Sequence, residues 1–191
     1  MMNRALFLDR DGVINIDFGY VCQPRECVFV DGIFEVVRVA NAHDYKVIIV
    51  TNQAGIGRGR FSAWQFTTLT TWMVGRFARE EATIDAVYHC PHHPDSGIGL
   101  YRIRCDCRKP QPGMLIRARC DFDLNMAESL IVGDKISDLE AGERAGVGAG
   151  FLLGVKSSEN RVLLPGGYRT ISNLLEVKSF LQKGSAARKI Q

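Results

Sequence analysis

Four short, uninterrupted apolar runs punctuate the chain: Ala5-Leu6-Phe7-Leu8, Val47-Ile48-Ile49-Val50, Leu130-Ile131-Val132 and Gly150-Phe151-Leu152-Leu153. None alternates apolar with polar residues, which is the pattern of strands buried on both faces of a parallel sheet. Between them the period becomes helical. Asp31 is placed to cap a helix running to about Ala42, with Ile33, Val36, Val37 and Ala40 on one face. Ser62-Ala63-Trp64-Gln65 has the capping-box form and predicts a helix to about Glu80. Pro112 suits the first turn of a helix through Cys120, and Asp138 to Ala145 reads as another, stopped by Gly146. Ser172 to about Lys183 gives the last. Strands alternating with helices predict an α/β fold built on a doubly wound parallel sheet. One domain is expected over residues 1–184, with residues 185–191 as a flexible tail.

In such sheets ligands bind beyond the carboxyl ends of the strands. Three of the four runs end there in polar residues: Asp9-Arg10-Asp11-Gly12, Thr51-Asn52-Gln53 and Gly133-Asp134-Lys135. Asp9 and Asp11, two residues apart on an extended or turning segment, can aim both carboxyl groups at one point. Phosphoryl transfer needs an oxygen nucleophile on one side and a proton donor for the leaving alkoxide on the other. Two carboxylates in different environments divide those tasks. Asp134 can share a hard cation with Asp9, and magnesium, which takes oxygen ligands and keeps its waters, is the natural choice. Lys109, with the hydroxyl and N–H groups near Thr51, can hold the equatorial oxygens. Alone, each motif is ordinary, since Asp-x-Asp caps loops and Gly-Asp makes turns. Their joint appearance after three buried strands is what points to chemistry.

Composition leaves this picture intact. The 191 residues are 46% hydrophobic and 24% charged, ordinary for a globular chain, and the net charge of +3 suits small anionic substrates but is too weak to argue for nucleic acid. No apolar run approaches the roughly 18 residues that a membrane span needs. Met1-Met2-Asn3-Arg4 leads into only four apolar residues, too few for a secretory core, so a cytoplasmic location is expected, and with no obvious exposed apolar helix a monomer is the default.

The six cysteines change the picture more. In an unexported chain they read as metal ligands or reduced thiols. Cys90-Pro91-His92 is followed, after twelve residues, by Cys105-Asp106-Cys107. Three thiolates and an imidazole make a tetrahedral zinc set, and four protein ligands close the shell, so such a zinc is structural. His93 competes with His92 for the fourth position. Cys22, Cys27 and Cys120 stand apart and read as small buried hydrophobes.

Taken in order, Asp9-Arg10-Asp11-Gly12-Val13, Val50-Thr51-Asn52-Gln53, Lys109-Pro110 and Gly133-Asp134 with Asp138 resemble the four motifs of the haloacid dehalogenase-type phosphatases. The resemblance covers most of the chain. It implies that Asp9 is the nucleophile, that Asp11 is the general acid and then the base, and that Thr51 and Lys109 steady the transferring phosphoryl group. Magnesium would be bound by Asp9, the backbone carbonyl of Asp11, and Asp134, with Asp138 behind them. Residues 88–109 further resemble the zinc-containing branch of these phosphatases, whose members lack a large cap domain and shape their cleft with a zinc-stapled loop.

Within that branch, the long interval between Cys-x-His and Cys-x-Cys is similar to members acting on heptose 1,7-bisphosphates; members acting on histidinol phosphate have a shorter one. The implied substrate is therefore a phosphorylated sugar, a heptose 1,7-bisphosphate losing its C7 phosphate, with histidinol phosphate or another small phosphate ester as the alternative. Asp17-Phe18-Gly19-Tyr20, Asn52, Gln53 and Ala54 match substrate-binding segments of the branch, although serine is usual where Ala54 stands. Arg108 and Lys135 match basic positions able to anchor a second phosphate. Arg58 and Arg60, in Gly57-Arg58-Gly59-Arg60, can add to that basic field, although arginines on an exposed loop are ordinarily just solvated.

Overall fold

The computed structural model of the protein describes residues 2–154, 164 and 168–186. Its centre is a six-stranded sheet, parallel throughout, in the order β3-β2-β1-β4-β5-β6. The strands are β1 (Arg4–Leu8), β2 (Tyr45–Asn52), β3 (Ala86–Cys90), β4 (Leu130–Gly133), β5 (Ala149–Leu153) and β6 (Arg169–Ile171). The chain winds outward from β1 in both directions, so the crevice between β1 and β4 is the point where strand order reverses. Register aligns the ends there: Leu8 pairs with Ile49 on one side and Val132 on the other.

Helices cover both faces. They are α1 (Ile33–Ala42), the short α2 (Ala54–Gly57), α3 (Ala63–Arg79), α4 (Gly113–Phe122), α5 (Ile136–Arg144) and α6 (Lys178–Ala186). Because strand side chains alternate, Leu6, Leu8, Val47 and Ile49 pack toward α1 and the Leu69, Met73 and Phe77 face of α3. Ala5, Phe7, Ile48 and Val50 point the other way, against Met114, Leu115 and Ala118 of α4 and Leu139 of α5. Two apolar layers thus grip one sheet and hold its strand ends in fixed register.

All four apolar runs are inner strands. The two edge strands, β3 and β6, lack that signature: β3 carries a largely exposed His89, and β6 begins with an exposed Arg169. The capping box at Ser62 is present, with Ser62 Oγ accepting from Gln65 N at 3.1 Å and Gln65 Oε1 accepting from Ser62 N at 2.8 Å. Helix α1 differs at its entry. Gly32, rather than Asp31, holds the cap position in a left-handed conformation (φ 81°), so backbone geometry replaces the expected side-chain cap. At the end of the chain a 3₁₀ turn (Leu174–Val177) capped by Asn173 precedes α6, which continues to Ala186. From residue 187 onward the expected tail lies outside the described residues.

Candidate active site

The three polar clusters meet at the carboxyl ends of β1, β2 and β4, where a cavity of about 550 Å³ opens. Asp9 follows β1, and its N–H donates to Val132 O at 3.0 Å, which ties the end of β1 to β4. Its carboxylate accepts from Arg10 N at 2.7 Å and faces Lys109 Nζ at 2.9 Å. Burial pushes the Asp9 carboxyl up to about 6, with Lys109 pulling it back down and Asp138 adding to the rise.

Lys109 is buried, and its three N–H bonds meet three acceptors. These are Val50 O at 2.7 Å, Asp9 Oδ1 at 2.9 Å and Asp138 Oδ1 at 2.6 Å. Burial alone would lower the ammonium's pKa, but the two carboxylates raise it above the usual lysine range, so it stays charged. Asp138 sits in the first turn of α5, where its Oδ2 also accepts from Lys135 N at 3.0 Å. One carboxylate therefore caps a helix and fixes the lysine.

Asp11 is held from several sides. Its Oδ1 accepts from Arg10 Nε at 3.1 Å and Asn15 Nδ2 at 3.0 Å, and its Oδ2 from Arg10 Nη2 at 2.9 Å and Gln53 Nε2 at 2.9 Å. Gln53 Nε2 also donates to the buried Thr51 Oγ1 at 2.9 Å. Thr51, Gln53 and Asp11 thus form one hydrogen-bonded line across the ends of β2 and β1. Arg10, only 2% exposed, is a supporting residue that the motif pattern alone does not single out. Its signal was a cation between two aspartates just after a buried strand, where burial would force it to pair.

Asp134 completes the cluster. Asp9, Asp134 and Asp138 place carboxylate oxygens within 4.8 Å of one another. Asp134 Oδ1 is buried without a hydrogen-bond partner among the described residues. An unsatisfied buried oxygen beside other carboxylates fits a hard cation, and magnesium is one. Gly12 makes the approach possible. Its φ is +88°, and a Cβ there would lie 2.4 Å from Asp134 Oδ2.

The expected substrate segments line or border the same cavity. Asp17, Gly19, Tyr20, Asn52, Gln53, Ala54, Arg108 and Lys135 line it, whereas Phe18 is 64% exposed beside it. Several are already engaged. Asn52 Nδ2 donates to Lys109 O and its Oδ1 accepts from Lys109 N, each at 3.0 Å. Lys135 Nζ lies 3.4 Å from Asp17 Oδ2 and 3.5 Å from Asp134 Oδ2. Arg108 Nη1 donates to His92 O at 3.2 Å.

The cysteine and histidine pattern also converges. Cys90 ends β3, and its Sγ lies 3.2 Å from that of Cys107 and 3.5 Å from that of Cys105; His92 Nδ1 is 3.4 Å from Cys107 Sγ and 3.7 Å from Cys90 Sγ. All four donors fall within 4.8 Å of one another. A tetrahedral ion with bonds of about 2.3 Å to sulfur separates its donors by nearly these distances, so the set fits zinc. His93 is directed elsewhere, its Nδ1 accepting from Asp95 N and Ser96 N. Of the isolated cysteines, Cys27 is buried as expected, Cys22 is half-buried, and Cys120 is exposed on α4.

A parallel sheet with paired aspartates after its first strand, a threonine after the next and a lysine pinned between carboxylates defines a haloacid dehalogenase-like hydrolase. The HAD-hydrolase-like family matches residues 106–163. A Burkholderia mallei relative named D-glycero-alpha-D-manno-heptose-1,7-bisphosphate 7-phosphatase is 57% identical over 153 residues, covering 80% of this chain and 81% of its own. The chain belongs to the D-glycero-D-manno-heptose-1,7-bisphosphate 7-phosphatase family. A Vibrio cholerae relative, named for the beta anomer, is 48% identical over 153 residues, with 80% and 82% covered. Among solved structures, D,D-heptose 1,7-bisphosphate phosphatase from B. bronchiseptica, complexed with magnesium and phosphate, superposes with a TM-score of 0.81 at 32% identity, covering 94% of this chain and 98% of that one.

Proposed function

We propose that this protein hydrolyses the C7 phosphate of a D-glycero-D-manno-heptose 1,7-bisphosphate, giving the heptose 1-phosphate and inorganic phosphate. The observation that carries this reading is the placement of charge. Buried Lys109 braces Asp9, while two further cations, Arg108 and Lys135, line the same cavity, Lys135 between Asp134 and Asp17. A substrate with two phosphates has a use for cations beyond the one that braces Asp9.

In this reading an Asp9 oxygen attacks phosphorus, the bond from phosphorus to the C7 oxygen breaks, and Asp11 delivers a proton to the departing alkoxide. Asp11 then takes a proton from water, whose oxygen attacks the aspartyl-phosphate and frees Asp9 and phosphate. Thr51 and Lys109 steady the equatorial oxygens through both transfers. Magnesium, held by Asp9, Asp134 and the Asp11 backbone carbonyl, would offset the repulsion between the phosphate and the aspartates around it. Zinc, held by Cys90, His92, Cys105 and Cys107, would be structural, since four protein ligands leave no open position.

Residues 88–109 carry Arg108 and Lys109 to the wall of the cleft within a single domain whose last helix runs past residue 184 to Ala186. Among the described residues no helix is long and apolar enough to cross a membrane. Thiols poised for metal suit a reducing compartment, which supports a cytoplasmic location, and a site built wholly from one chain supports a monomer.

The test is phosphate release from both anomers of the heptose bisphosphate beside histidinol phosphate, with magnesium supplied and the product located by phosphorus NMR. Selective loss from C7 is expected. Preference for histidinol phosphate would sink the substrate assignment.

A further inference from the structure

Arg58 stands between two segments that are distant in sequence. Its Nη1 donates to Tyr20 Oη at 2.8 Å, and its Nε donates to Ser96 Oγ at 2.8 Å. Tyr20 belongs to the turn after β1, and Ser96 to the Cys–His loop. Within the turn one hydrogen bond, Gly19 N donating to Asp17 Oδ1 at 3.0 Å, holds a backbone that is otherwise strained. Tyr20 has a left-handed backbone (φ 56°), unfavourable for a bulky side chain, and it follows Gly19 at φ 78°. At 45% exposure its ring is not fixed by core packing. What fixes it is cationic: the Arg58 hydrogen bond and the Arg60 guanidinium 5.7 Å from the ring centroid. The Arg58 hydrogen bond also draws the Tyr20 phenol below its ordinary pKa.

On the other side the Cys–His loop is pressed against the base of Arg58. Ile98 N donates to Gly57 O at 2.8 Å, and a Cβ on Gly57 would lie 2.4 Å from Pro91 O. The far end of the same turn is held by Lys135 at Asp17. The turn over residues 17–20 is thus pinned at two points, one from the segment between β4 and α5 and one from the segment after β2.

We propose that Arg58 is a positioning residue for substrate selection: it fastens the Tyr20 turn to the Cys–His loop and so fixes the aperture of the cavity. The inference rests on the phosphosugar reading above, because only a substrate that fills the mouth feels the aperture. A compact aryl phosphate engages the floor at Asp9 and leaves the rim idle. The bridge needs a planar fork with donors facing two ways, which one ammonium does not provide.

The experiment compares Arg58→Gln, Arg58→Lys, Tyr20→Phe and the Arg58→Gln/Tyr20→Phe double variant on heptose bisphosphate and p-nitrophenyl phosphate, with magnesium. Both Arg58 variants are expected to raise KM for the heptose bisphosphate about tenfold, the scale of a lost charged hydrogen bond, with kcat nearly unchanged. Their hydrolysis of p-nitrophenyl phosphate stays at the wild-type rate. Tyr20→Phe raises the bisphosphate KM alike, and the double variant adds nothing to it. Restoration by lysine would assign the effect to charge alone and overturn the proposal. So would losses that multiply, or a parallel fall on p-nitrophenyl phosphate. Hydrogen–deuterium exchange over residues 17–20 and 92–98 reads the bridge without substrate. Faster exchange in Arg58→Gln supports it even if the wild type ignores heptose bisphosphates, a result that would sink only the substrate reading. Unchanged exchange overturns the bridge whatever the substrate.

Discussion

Lys109 and Asp138 form an ion pair with Nζ and Oδ1 2.6 Å apart and side chains only 1% and 2% exposed. Asp138→Ala leaves a buried ammonium with Asp9 as its one carboxylate, and it also removes the acceptor for Lys135 N at the start of α5. Breaking a buried pair from one side costs about 3 to 5 kcal/mol, so a fall in Tm of several degrees or more is expected in thermal unfolding. Activity should fall as well, since Lys109 loses its bearing on Asp9. Unchanged Tm would show that the pair contributes nothing to the folded state.

Asp9→Asn keeps the size of the side chain and removes the carboxylate proposed as the nucleophile. Turnover of every phosphate ester should drop by at least about 10³-fold, the scale seen when a covalent nucleophile is lost. The folded state should persist, because an amide oxygen still accepts from Arg10 N. Steady-state phosphate release together with circular dichroism checks both parts, and retained turnover would remove the aspartyl-phosphate route.

Gly12→Ala probes the cation site without touching a ligand. The new Cβ would enter the space of the Asp134 carboxylate and also strain a backbone at φ +88°. Asp134 must then shift from its place in the carboxylate cluster. Half-maximal activation should require about tenfold or more added magnesium, the range observed when metal ligands are disturbed indirectly. A magnesium titration of activity measures it, and an unmoved midpoint would place the cation elsewhere.

Removal of zinc is expected to act on folding before chemistry. Closed tetrahedral sites couple metal binding to the folded state. Treating the protein with a zinc chelator should lower Tm and loosen residues 91–108, and activity should follow because Arg108 and Lys109 come directly after Cys107. Metal analysis with calorimetry before and after chelation tests this. A measured zinc whose loss leaves Tm in place would contradict a structural role.

The core makes a simpler prediction. Phe77 of α3 is fully buried, with its ring centroid 4.9 Å from that of Phe34 and 5.7 Å from that of Phe29. Phe77→Ala should destabilise the protein by about 3 to 5 kcal/mol in denaturant unfolding, far from the site and without altering substrate preference.

Legibility in the sequence followed burial. Val47–Val50 and Leu130–Val132 announced themselves because a strand covered on both faces has no reason to carry polar residues. Ala86–Cys90 did not, since an edge strand mixes buried Cys90 with exposed His89. At the site, Asp9, Asp134 and Lys109 stood out as motif residues at strand ends or beside the cysteines, and the fold gathers them. The supporting contacts stayed hidden. Gln53 and Asn52 looked like residues free for substrate, yet their amides are engaged on Asp11 with Thr51, and on the Lys109 backbone, respectively. Such pairings join positions tens of residues apart, and no local spacing encodes them. The exchange of Asp31 for Gly32 at the entry of α1 is of the same kind, because the conformation of the preceding loop decides it.

Asn52 clasps the Lys109 backbone with both ends of one amide, as a neighbouring strand would. The excursion from Cys90 to Lys109 is therefore clamped at its two feet, by β3 pairing at one and by Asn52 at the other. While the Cys90, His92, Cys105 and Cys107 set stays closed, the ammonium is returned to the same place beside Asp9. Insertions, deletions and rewriting between His92 and Cys105 are then mechanically remote from the bond-breaking step. Descendants of such a scaffold are free to trade one phosphorylated metabolite for another by exchanging a single modular segment, with the catalytic hardware inherited unchanged.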